Sequence, residues 1–458
     1  MIWSPELEET HRDLSETDLL FRRFVSQDPE SLSRSSFKAL DVPSPLLKYK
    51  LQSWPTFVGP EKVREIERAS VGMSSLIRGI PERVFGGDPR RVAEHYGTDP
   101  LSTELLLSPP NGIDSAVSRG DFVDTPQGLK CVEFNMSAHL GGWETSILAG
   151  IQVNLSPIRR FLRQHGVTVT FRNTVREIFR HVAREAERQG LTAEGELNVA
   201  VVMPVLSAQD VAMISPYLDG EYRPALEEHG LRGRAFLCDY SQLSERLGRL
   251  YYGALKVGAV VERSSTHENR MAFNCFKAGA LCFFNSPVAM LLGDKRNLAL
   301  LSELEGSPIF SDEERAILER HLPWTRRVER GEATYRGERI SLLDFISSRR
   351  ESLVLKKARS LGGADVLIGR FTSQEEWETV LAREATGNDW IVQEYVESRP
   401  YLFQNDEHGC SPHDAVWGPF VFGNTYAGAF LRLQPKRLLG IVNLTRGATE
   451  GVLLEVAR

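Results

Sequence analysis

Four polar side chains whose types could do chemistry, one arginine, two carboxylates and one amide, lie in RGDFVDTPQGLKCVEFN, residues 119–135. The PQG segment in its middle is typical of a three-residue hairpin loop, with Gly at the position that requires positive φ. Such a loop places Asp121 opposite Glu133, and Arg119 opposite Asn135, on two antiparallel strands.

Strand alternation predicts a core face and a polar face for this hairpin. Phe122, Val132 and Phe134 are predicted to face the core, whereas Cys131 falls on the polar side, as a pocket residue or, more simply, as an inert thiol. Two carboxylates facing each other on adjacent strands repel by on the order of 3 kcal/mol at an effective dielectric near 20. A positive charge must compensate this repulsion, and a salt-bridge cluster formed by Arg119 alone is one way to supply it.

A second segment with possible chemistry is LVLKKARSLGGADVLIG, residues 353–369. A strand delivers Lys356, and the loop after it contains Ser360, Gly362 and Gly363. Glycines in such a loop allow backbone N–H groups to approach phosphate oxygens, and a lysine at its edge adds a positive charge. A plain hairpin with a glycine turn is the alternative interpretation.

A third segment, WIVQEYVES at residues 390–398, reads as a strand with Gln393 and Glu394 within an apolar run. It is either a central strand with one polar face or a hinge whose backbone, at Glu394 and Val396, contacts the edge of a purine.

A fourth segment, GPFVFGNTYAGAFLRLQPKRLLGIVNLT, predicts a glycine-containing strand that presents Tyr426 and Arg432. Another strand that carries Asn443 is predicted after it. Gly423 and Gly428 indicate a close approach of backbone or ligand.

Composition limits the possible classes of protein. The chain has 458 residues, 41% hydrophobic and 25% charged, which predicts two to four structural units. A net charge of −6 argues against a general binder of nucleic acid or of anionic membranes. No apolar run of 18 residues and no signal-peptide pattern is present, so we expect a cytoplasmic protein.

Several reaction classes have no support in the sequence. The five cysteines are scattered and never spaced CxxC, which argues against a zinc site or a disulfide framework. Walker A, G-x-G-x-x-G, G-x-S-x-G and H-E-x-x-H patterns are absent, which argues against a P-loop enzyme, a nicotinamide dehydrogenase, a serine hydrolase and a metalloprotease.

The pattern of elements predicts four regions. They are a mostly helical region at 1–117, the hairpin and following helices at 118–195, a small parallel α/β domain at 196–290, and an α+β lobe at 291–458.

The order of these motifs resembles the circularly permuted form of the ATP-grasp superfamily, most closely the synthetase domain of glutathionylspermidine synthase. The resemblance spans residues 119 to 432. The matching motifs are the metal-binding strands with Arg119, Asp121, Glu133 and Asn135; Asp294-Lys295 at a helix start; the strand and loop from Lys356 to Val366; Gln393-Glu394 in the hinge strand; and Asn424 to Gly428 leading to Arg432. It does not extend to MSAHLGGWETS after Asn135, where Ala138, His139 and Leu140 depart from the residues that hold glutathione in that family.

The resemblance implies a combined α+β and α/β fold of the permuted ATP-grasp type that binds ATP and Mg²⁺ between two lobes. The implied roles are Mg²⁺ binding by Asp121, Glu133 and Asn135; nucleotide binding by Lys295, Lys356, Ser360, Gly362, Gly363, Gln393, Glu394 and Val396; and stabilisation of the reacting groups by Arg119 and Arg432. The loop at 359–365 is expected to close over the nucleotide.

The implied reaction is ATP-dependent formation of an amide from a small-molecule or peptide carboxylate and an amine, through an acyl phosphate. A phosphotransferase on the same scaffold and a catalytically inactive nucleotide-binding protein are the alternatives. His139, Trp143 and Glu144 are expected near the acceptor pocket. No nucleic-acid or membrane partner is expected, and the oligomeric state stays open.

Overall fold

The computed structural model describes residues 3–15, 18–26, 49–136, 140–203, 207–263, 269–360, 365–385, 387–405, 409–436, 438 and 440–457. Within these ranges, no helix combines the length and the apolar composition that crossing a membrane requires.

Helices and strands alternate along the described chain. The helices are α1 Pro5–Ser15, α2 Asp18–Ser26, α3 Pro60–Arg78, α4 Ile80–Arg83, α5 Pro89–Tyr96, α6 Pro100–Leu107, α7 Thr145–Val153, α8 Ser156–His165, α9 Thr174–Arg188, α10 Ala208–Glu227, α11 Arg270–Lys277, α12 Ala289–Leu292, α13 Arg296–Glu303, α14 Asp312–His321, α15 Leu342–Ser348 and α16 Gln374–Glu384. The strands are β1 Thr56–Val58, β2 Val117–Thr125, β3 Gly128–Asn135, β4 Val169–Thr170, β5 Val199–Val202, β6 Ala235–Cys238, β7 Leu243–Arg246, β8 Arg249–Tyr252, β9 Leu255–Val257, β10 Ala259–Glu262, β11 Cys282–Phe284, β12 Thr325–Arg327, β13 Glu332–Tyr335, β14 Glu338–Ser341, β15 Leu353–Lys357, β16 Val366–Ile368, β17 Trp390–Glu394, β18 Tyr401–Asn405, β19 Gly409–Phe422, β20 Thr425–Pro435 and β21 Thr449–Val456.

The largest sheet in the described chain has eight strands and joins distant parts of the sequence. Its main order is β1-β21-β20-β19-β2-β3, with β18 beside β19 and β4 beside β21. Helix α3 packs against β2, β3, β19, β20 and β21, and α14 packs against α3 and β3. The hairpin β2–β3 therefore shares one sheet and one apolar core with the C-terminal strands.

Two of the smaller sheets are formed by the part of the chain between β4 and β18, that is, between the early and the late strands of the large sheet. The predicted parallel α/β unit is confirmed: β5, β6, β10 and β11 are parallel and lie in the order β11-β10-β5-β6. The other sheet is antiparallel in the order β12-β17-β15-β16, so the segment WIVQEYVES is a central strand. The predicted strand around Asn443 is wrong, because residues 441–443 form no strand and a 3₁₀ turn follows at Leu444–Arg446.

The hairpin has the predicted register at its polar end and a bulge beside it. Asp121 pairs with Glu133 and Arg119 with Asn135, whereas Phe122 pairs with Cys131, so Val132 is an extra residue in β3. Gly128 has φ +94°, as predicted. The predicted three-residue loop is wrong, because Gly128 already pairs with Thr125 as the first residue of β3 and the loop is only Pro126 and Gln127. The bulge offsets the missing loop residue, so Asp121 still pairs with Glu133.

The bulge corrects two side-chain predictions. Cys131 is fully buried in the core together with Phe134, while Val132 and Glu133 both line a cleft on the opposite face. A bulge places two residues opposite one, and therefore shifts the alternation of the strand by one residue. Cys131 is thus a core thiol, as the simpler interpretation predicted, and Val132 is not a core residue.

The ring of Phe430 in β20 packs where two glycines allow it. A Cβ atom added to Gly418 would lie 2.5 Å from Phe430 Cε1, and one added to Gly142 would lie 2.7 Å from the same atom. The guanidinium carbons of Arg119 and Arg432 lie 5.3 and 5.8 Å from the ring centroid. The ring therefore supports two arginines of the polar face.

We predict that Gly418→Ala lowers the free energy of unfolding by about 1–3 kcal/mol, because the added methyl group must displace the Phe430 ring. Urea unfolding measures the change. The matched control is Gly220→Ala within α10, where an added Cβ atom has no neighbour within 4 Å. The control should be neutral or stabilising by up to about 1 kcal/mol, and equal destabilisation by both substitutions would contradict the packing described for Phe430.

Candidate functional site

A polar cleft lies between the eight-stranded sheet and the antiparallel sheet β12-β17-β15-β16. The space inside it is about 920 Å³ when the open solvent at its mouth is included. Its lining residues are Asp121, Val123, Val132, Glu133, Val354, Lys356, Val366, Ile368, Gln393, Glu394, Tyr395, Val396, Ser398, Asp414, Ala415, Val416, Arg432, Gly440, Ile441, Val442 and Asn443.

Asp121 in β2 is held by two arginines. Its Oδ1 lies 2.7 Å from Arg432 Nη2 and 3.2 Å from Arg119 Nε. Burial by itself raises the pKa of Asp121, but the charges of Arg432 and Arg119 outweigh burial, and the pKa lies below its ordinary value. Asp121 is therefore an ionised carboxylate inside the protein.

Glu133 in β3 has a different cation as its partner. Its Oε1 lies 3.2 Å from Lys295 Nζ, which also donates a hydrogen bond of 2.8 Å to the carbonyl oxygen of Ser360. Lys295 is buried at the start of α13. The two carboxylates are thus neutralised by three cations, Arg119 of the hairpin itself and Arg432 and Lys295 from two further segments. The alternative in which Arg119 alone compensates both is wrong.

Lys356 in β15 lies beside the hairpin although it is 224 positions from Val132 in sequence. Its Nζ donates to the carbonyl oxygen of Val132 at 2.7 Å and to Gln393 Oε1 at 2.6 Å. Burial lowers the pKa of Lys356 to about 8, with Glu133 opposing the shift and Lys295 adding to it. An ammonium group has three N–H donors, so one remains for an anion in the cleft.

The polar groups of Gln393 and Glu394 in β17 form hydrogen bonds within the protein. Gln393 is buried, and its Nε2 donates to Thr325 Oγ1 at 3.0 Å. The side chain of Glu394 accepts hydrogen bonds from Tyr335 and Arg336, and its backbone N–H donates to the carbonyl of Trp324 at 2.9 Å.

Val396 follows this strand and also lines the cleft. The N–H of Tyr395 before it donates to Ser352 at 2.8 Å, whereas the N–H of Val396 has no backbone partner in the described chain. Of the two backbone positions predicted to contact a purine, Val396 therefore keeps an N–H donor, and the N–H of Glu394 is already in use.

Asn135 is a predicted site residue that is not joined to this cluster. Asn135 is paired with Arg119 across the hairpin and is partly exposed, but it does not line the cleft. Gly362 and Gly363 lie outside the described residues, as do Ala138 and His139. Ser360 is placed by its carbonyl contact with Lys295, while its buried hydroxyl has no partner within the described ranges.

Sequence reasoning missed the C-terminal contribution to the cleft. Ile441 and Val442 lie on its wall, next to Asn443, and Asp414 in β19 faces it from the large sheet. Burial raises the pKa of Asp414 despite Lys436, whose Nζ is 3.7 Å away. A single aspartate in a strand matches no motif, so only the shared lining reveals its position.

The residues present can be tested against the expected metal. In the part of the chain that is described, no group of three or more His, Cys, Asp or Glu side chains is placed to hold an ion. This excludes a complete all-protein cage there, but Mg²⁺ takes only one or two carboxylates and otherwise binds water and phosphate oxygens. The pair of Asp121 and Glu133, with 4% of Asp121 exposed, fits that simpler requirement.

Glu450 in β21 lies next to Arg432, across the sheet from the hairpin. Val123, Val416, Arg432 and Glu450 are successive cross-strand neighbours, so they lie on the same face of the sheet. The side chain of Glu450 is 1% exposed, and its Oε1 has no hydrogen-bond partner in the described chain. Burial and, after it, the charge of Glu144 raise the pKa of Glu450 to about 8.

We predict that Glu450→Gln becomes more stable relative to the wild type as the pH rises from 5 to 8. The folded chain holds the proton of Glu450 more tightly than the unfolded chain, so the wild type loses this contribution as the pH approaches 8. The difference in free energy of unfolding should grow by on the order of 3 kcal/mol. Urea unfolding at four pH values measures it, with Glu104→Gln on the exposed surface of α6 as the control. A difference that does not change with pH would contradict the burial of a protonated carboxyl at Glu450.

Comparisons with known proteins give information on the fold and not on the reaction. No family model matches the chain, and no curated protein matches it. Its structure is similar to the apo form of a glutathione synthetase-like effector from Globodera pallida, with a TM-score of 0.56 and 12% sequence identity, over 94% of this chain and 98% of that one. At this identity the similarity concerns the fold alone. It is consistent with an ATP-grasp-type fold, in agreement with the cleft between two sheets.

Proposed function

We propose that this protein is an ATP-dependent carboxylate–amine ligase with a circularly permuted ATP-grasp fold. One observation carries the proposal: Lys356 and Lys295, from one part of the sequence, meet Val132 and Glu133 of the hairpin at 2.7 and 3.2 Å. Two lysines beside two carboxylates form a site for a polyanion together with a divalent cation.

The cleft offers a separate place for each part of the nucleotide. Val354, Val366 and Ile368 provide an apolar wall for a purine ring, and Val396 provides a free backbone donor for its edge. The ammonium groups of Lys356 and Lys295 would then hold the phosphates. Opposite them, Glu133 and Asp121 would bind Mg²⁺, which neutralises the phosphate charge when bound. Asn135, expected as a third ligand, does not line the cleft and is left out of this proposal.

The acceptor acid would react beside the two arginines. A carboxylate oxygen attacks the γ-phosphorus, the bond to the bridging oxygen of ADP breaks, and an acyl phosphate forms. The amine nitrogen then attacks the acyl carbon, and phosphate leaves with the bonding electron pair. Arg119 and Arg432 both contact Oδ1 of Asp121, and both pack against the Phe430 ring. Their fixed positive charges would stabilise the oxyanion that develops at the acyl carbon.

We expect release of phosphate from Mg-ATP to require a carboxylic acid. Hydroxylamine serves as a general amine, because it converts an acyl phosphate into a hydroxamate that can be identified by mass. Glu133→Gln should lower turnover at least about 100-fold, and Glu104→Gln, far from the cleft, should not. A stable phosphorylated product would indicate a phosphotransferase instead. Phosphate release that no acid increases, across a broad panel, would contradict the proposal.

Lys356→Met should weaken the binding of Mg-ATP by about 1.5–3 kcal/mol, roughly 10- to 150-fold in Kd, because it removes a charged hydrogen-bond donor to phosphate. Isothermal titration calorimetry measures this. Lys357→Met is the matched control, since successive side chains of a strand point to opposite faces and Lys357 does not line the cleft. Equal affinity in the wild type and in Lys356→Met would place the phosphates elsewhere.

A further inference from the structure

Arg263 is a guanidinium that forms no ion pair within the described ranges of the chain. It follows directly after β10, and its backbone N–H donates to the carbonyl of Val202 at 2.7 Å. Its guanidinium carbon lies 4.2 Å from the centroid of the Trp143 ring. Among hydrogen bonds, ion pairs and ring contacts of the described residues, this stacking is the one that its guanidinium makes. Burial lowers the pKa of Arg263, the charge of Glu144 opposes this shift only in part, and the two side chains form no ion pair. A partly buried arginine without an acceptor is unusual, because buried charges are normally paired.

The position of Arg263 in the parallel sheet is one where ligands bind. In the order β11-β10-β5-β6, the chain leaves β5 toward β6 on one side and leaves β10 toward β11 on the other. The crevice between the carboxyl ends of β5 and β10 is therefore the topological switch point of this sheet. In open parallel sheets, ligands bind outside the carboxyl ends of the strands at this point. Arg263 is the first residue beyond the carboxyl end of β10.

The segment from Leu140 to Glu144 connects Arg263 to the two arginines of the large sheet. The carbonyl of Gly141 accepts a hydrogen bond of 3.0 Å from Arg119 Nη1, and Gly142 packs on Phe430. Next to these glycines, the ring of Trp143 stacks against the guanidinium of Arg263. The path from Arg432 through Arg119 to Arg263 is therefore continuous.

Unsatisfied hydrogen-bonding groups occur along the same path. The indole Nε1 of Trp143 and the hydroxyl of Thr145 are buried and have no hydrogen-bond partner in the described chain. On the large sheet, Nε of Arg432 is buried and likewise unpartnered. Buried polar groups are nearly always paired, so donors left unpaired near a free guanidinium indicate a bound polar group.

We infer that Arg263 and Trp143 bind a second carboxylate of the acid substrate, whose reacting carboxylate meets Arg119 and Arg432. This inference rests on the proposed function and specifies its substrate as a dicarboxylic acid. A planar carboxylate matches the fork of a guanidinium. The negative charge of Glu144, next to Arg263, favours a singly charged carboxylate over a doubly charged phosphate. Arg263 is thus a specificity-determining residue.

The test compares diacids with their half-amides in the hydroxylamine assay at saturating Mg-ATP. Glutarate, adipate and N-acetylglutamate are each paired with the analogue in which one carboxylate is an amide. We expect the wild type to have a KM for at least one diacid about tenfold below that for its half-amide. Arg263→Gln should raise the KM for that diacid on the order of 10- to 100-fold, with kcat and the KM for ATP within about twofold of the wild type.

Two further variants separate recognition from folding. Arg263→Lys keeps the positive charge and should restore part of the preference for the diacid. Arg246→Gln is the matched control, since Arg246 also stacks on an aromatic ring, with its guanidinium carbon 5.2 Å from the centroid of Tyr251 in the separate β7-β8-β9 sheet. It should leave every KM unchanged.

The outcomes distinguish this inference from the proposed function. If the wild type forms no hydroxamate with any acid, the proposed function fails, and calorimetry with the same diacids and half-amides decides the inference by itself. The inference is supported if the wild type binds a diacid with higher affinity than its half-amide and Arg263→Gln abolishes this difference. Diacid binding that does not exceed half-amide binding, or that is equal in the wild type and in Arg263→Gln, overturns it.

Discussion

The structure of the cleft depends on how the negative charge of the β2–β3 hairpin is neutralised. Asp121 is placed between Arg119 and Arg432, and Glu133 is paired with Lys295. Arg119 belongs to the hairpin itself, but Arg432 and Lys295 come from elements that are far away in sequence. The carboxylates are therefore fully compensated only in the folded chain. Buried ion pairs of this kind add little net stability, because removing the charges from water costs about as much as their attraction returns. Their arrangement is better explained by a ligand that requires both signs of charge.

The bulge at Val132 determines which groups reach that ligand. Without the extra residue, Cys131 and Phe134 could not both enter the core, and Glu133 would not stand beside Asp121 on the cleft face. The bulge also exposes the carbonyl of Val132, which accepts a hydrogen bond from Lys356 at 2.7 Å. One local irregularity therefore orients a carboxylate and links the large sheet to the antiparallel sheet. Bulges are common beside functional sites for this reason.

In the proposed function, the two arginines would separate a nucleotide region from an acceptor region. On one side lie the lysines and the hinge after β17, and on the other lie Trp143 and Arg263. The ring of Phe430 lies against both Arg119 and Arg432 and holds them in place between the two regions. Similarity of fold does not decide a reaction, so the proposal of a ligase rests on these side chains and their distances.

The sequence by itself was sufficient for local structure and for the residue types of the site. The positive φ of Gly128, the pairing of Asp121 with Glu133 and the parallel strands of the small domain were predicted, and a central strand at 390–394 was one of two interpretations, because turn chemistry and hydrophobic periodicity act over a few residues. The length of the loop was not predicted, since Gly128 pairs with Thr125. The motif order also indicated that Lys356 belongs near the hairpin. The tertiary structure alone decided how the charges are paired. Lys295, and not Arg119, neutralises Glu133. Asp414 lines the cleft, and Arg263 forms no ion pair within the described residues. Those pairings join segments up to hundreds of residues apart, and the bulge that reverses Cys131 and Val132 arises from packing against the core. Neither long-range contact nor a one-residue shift in alternation leaves a periodic signal in the sequence.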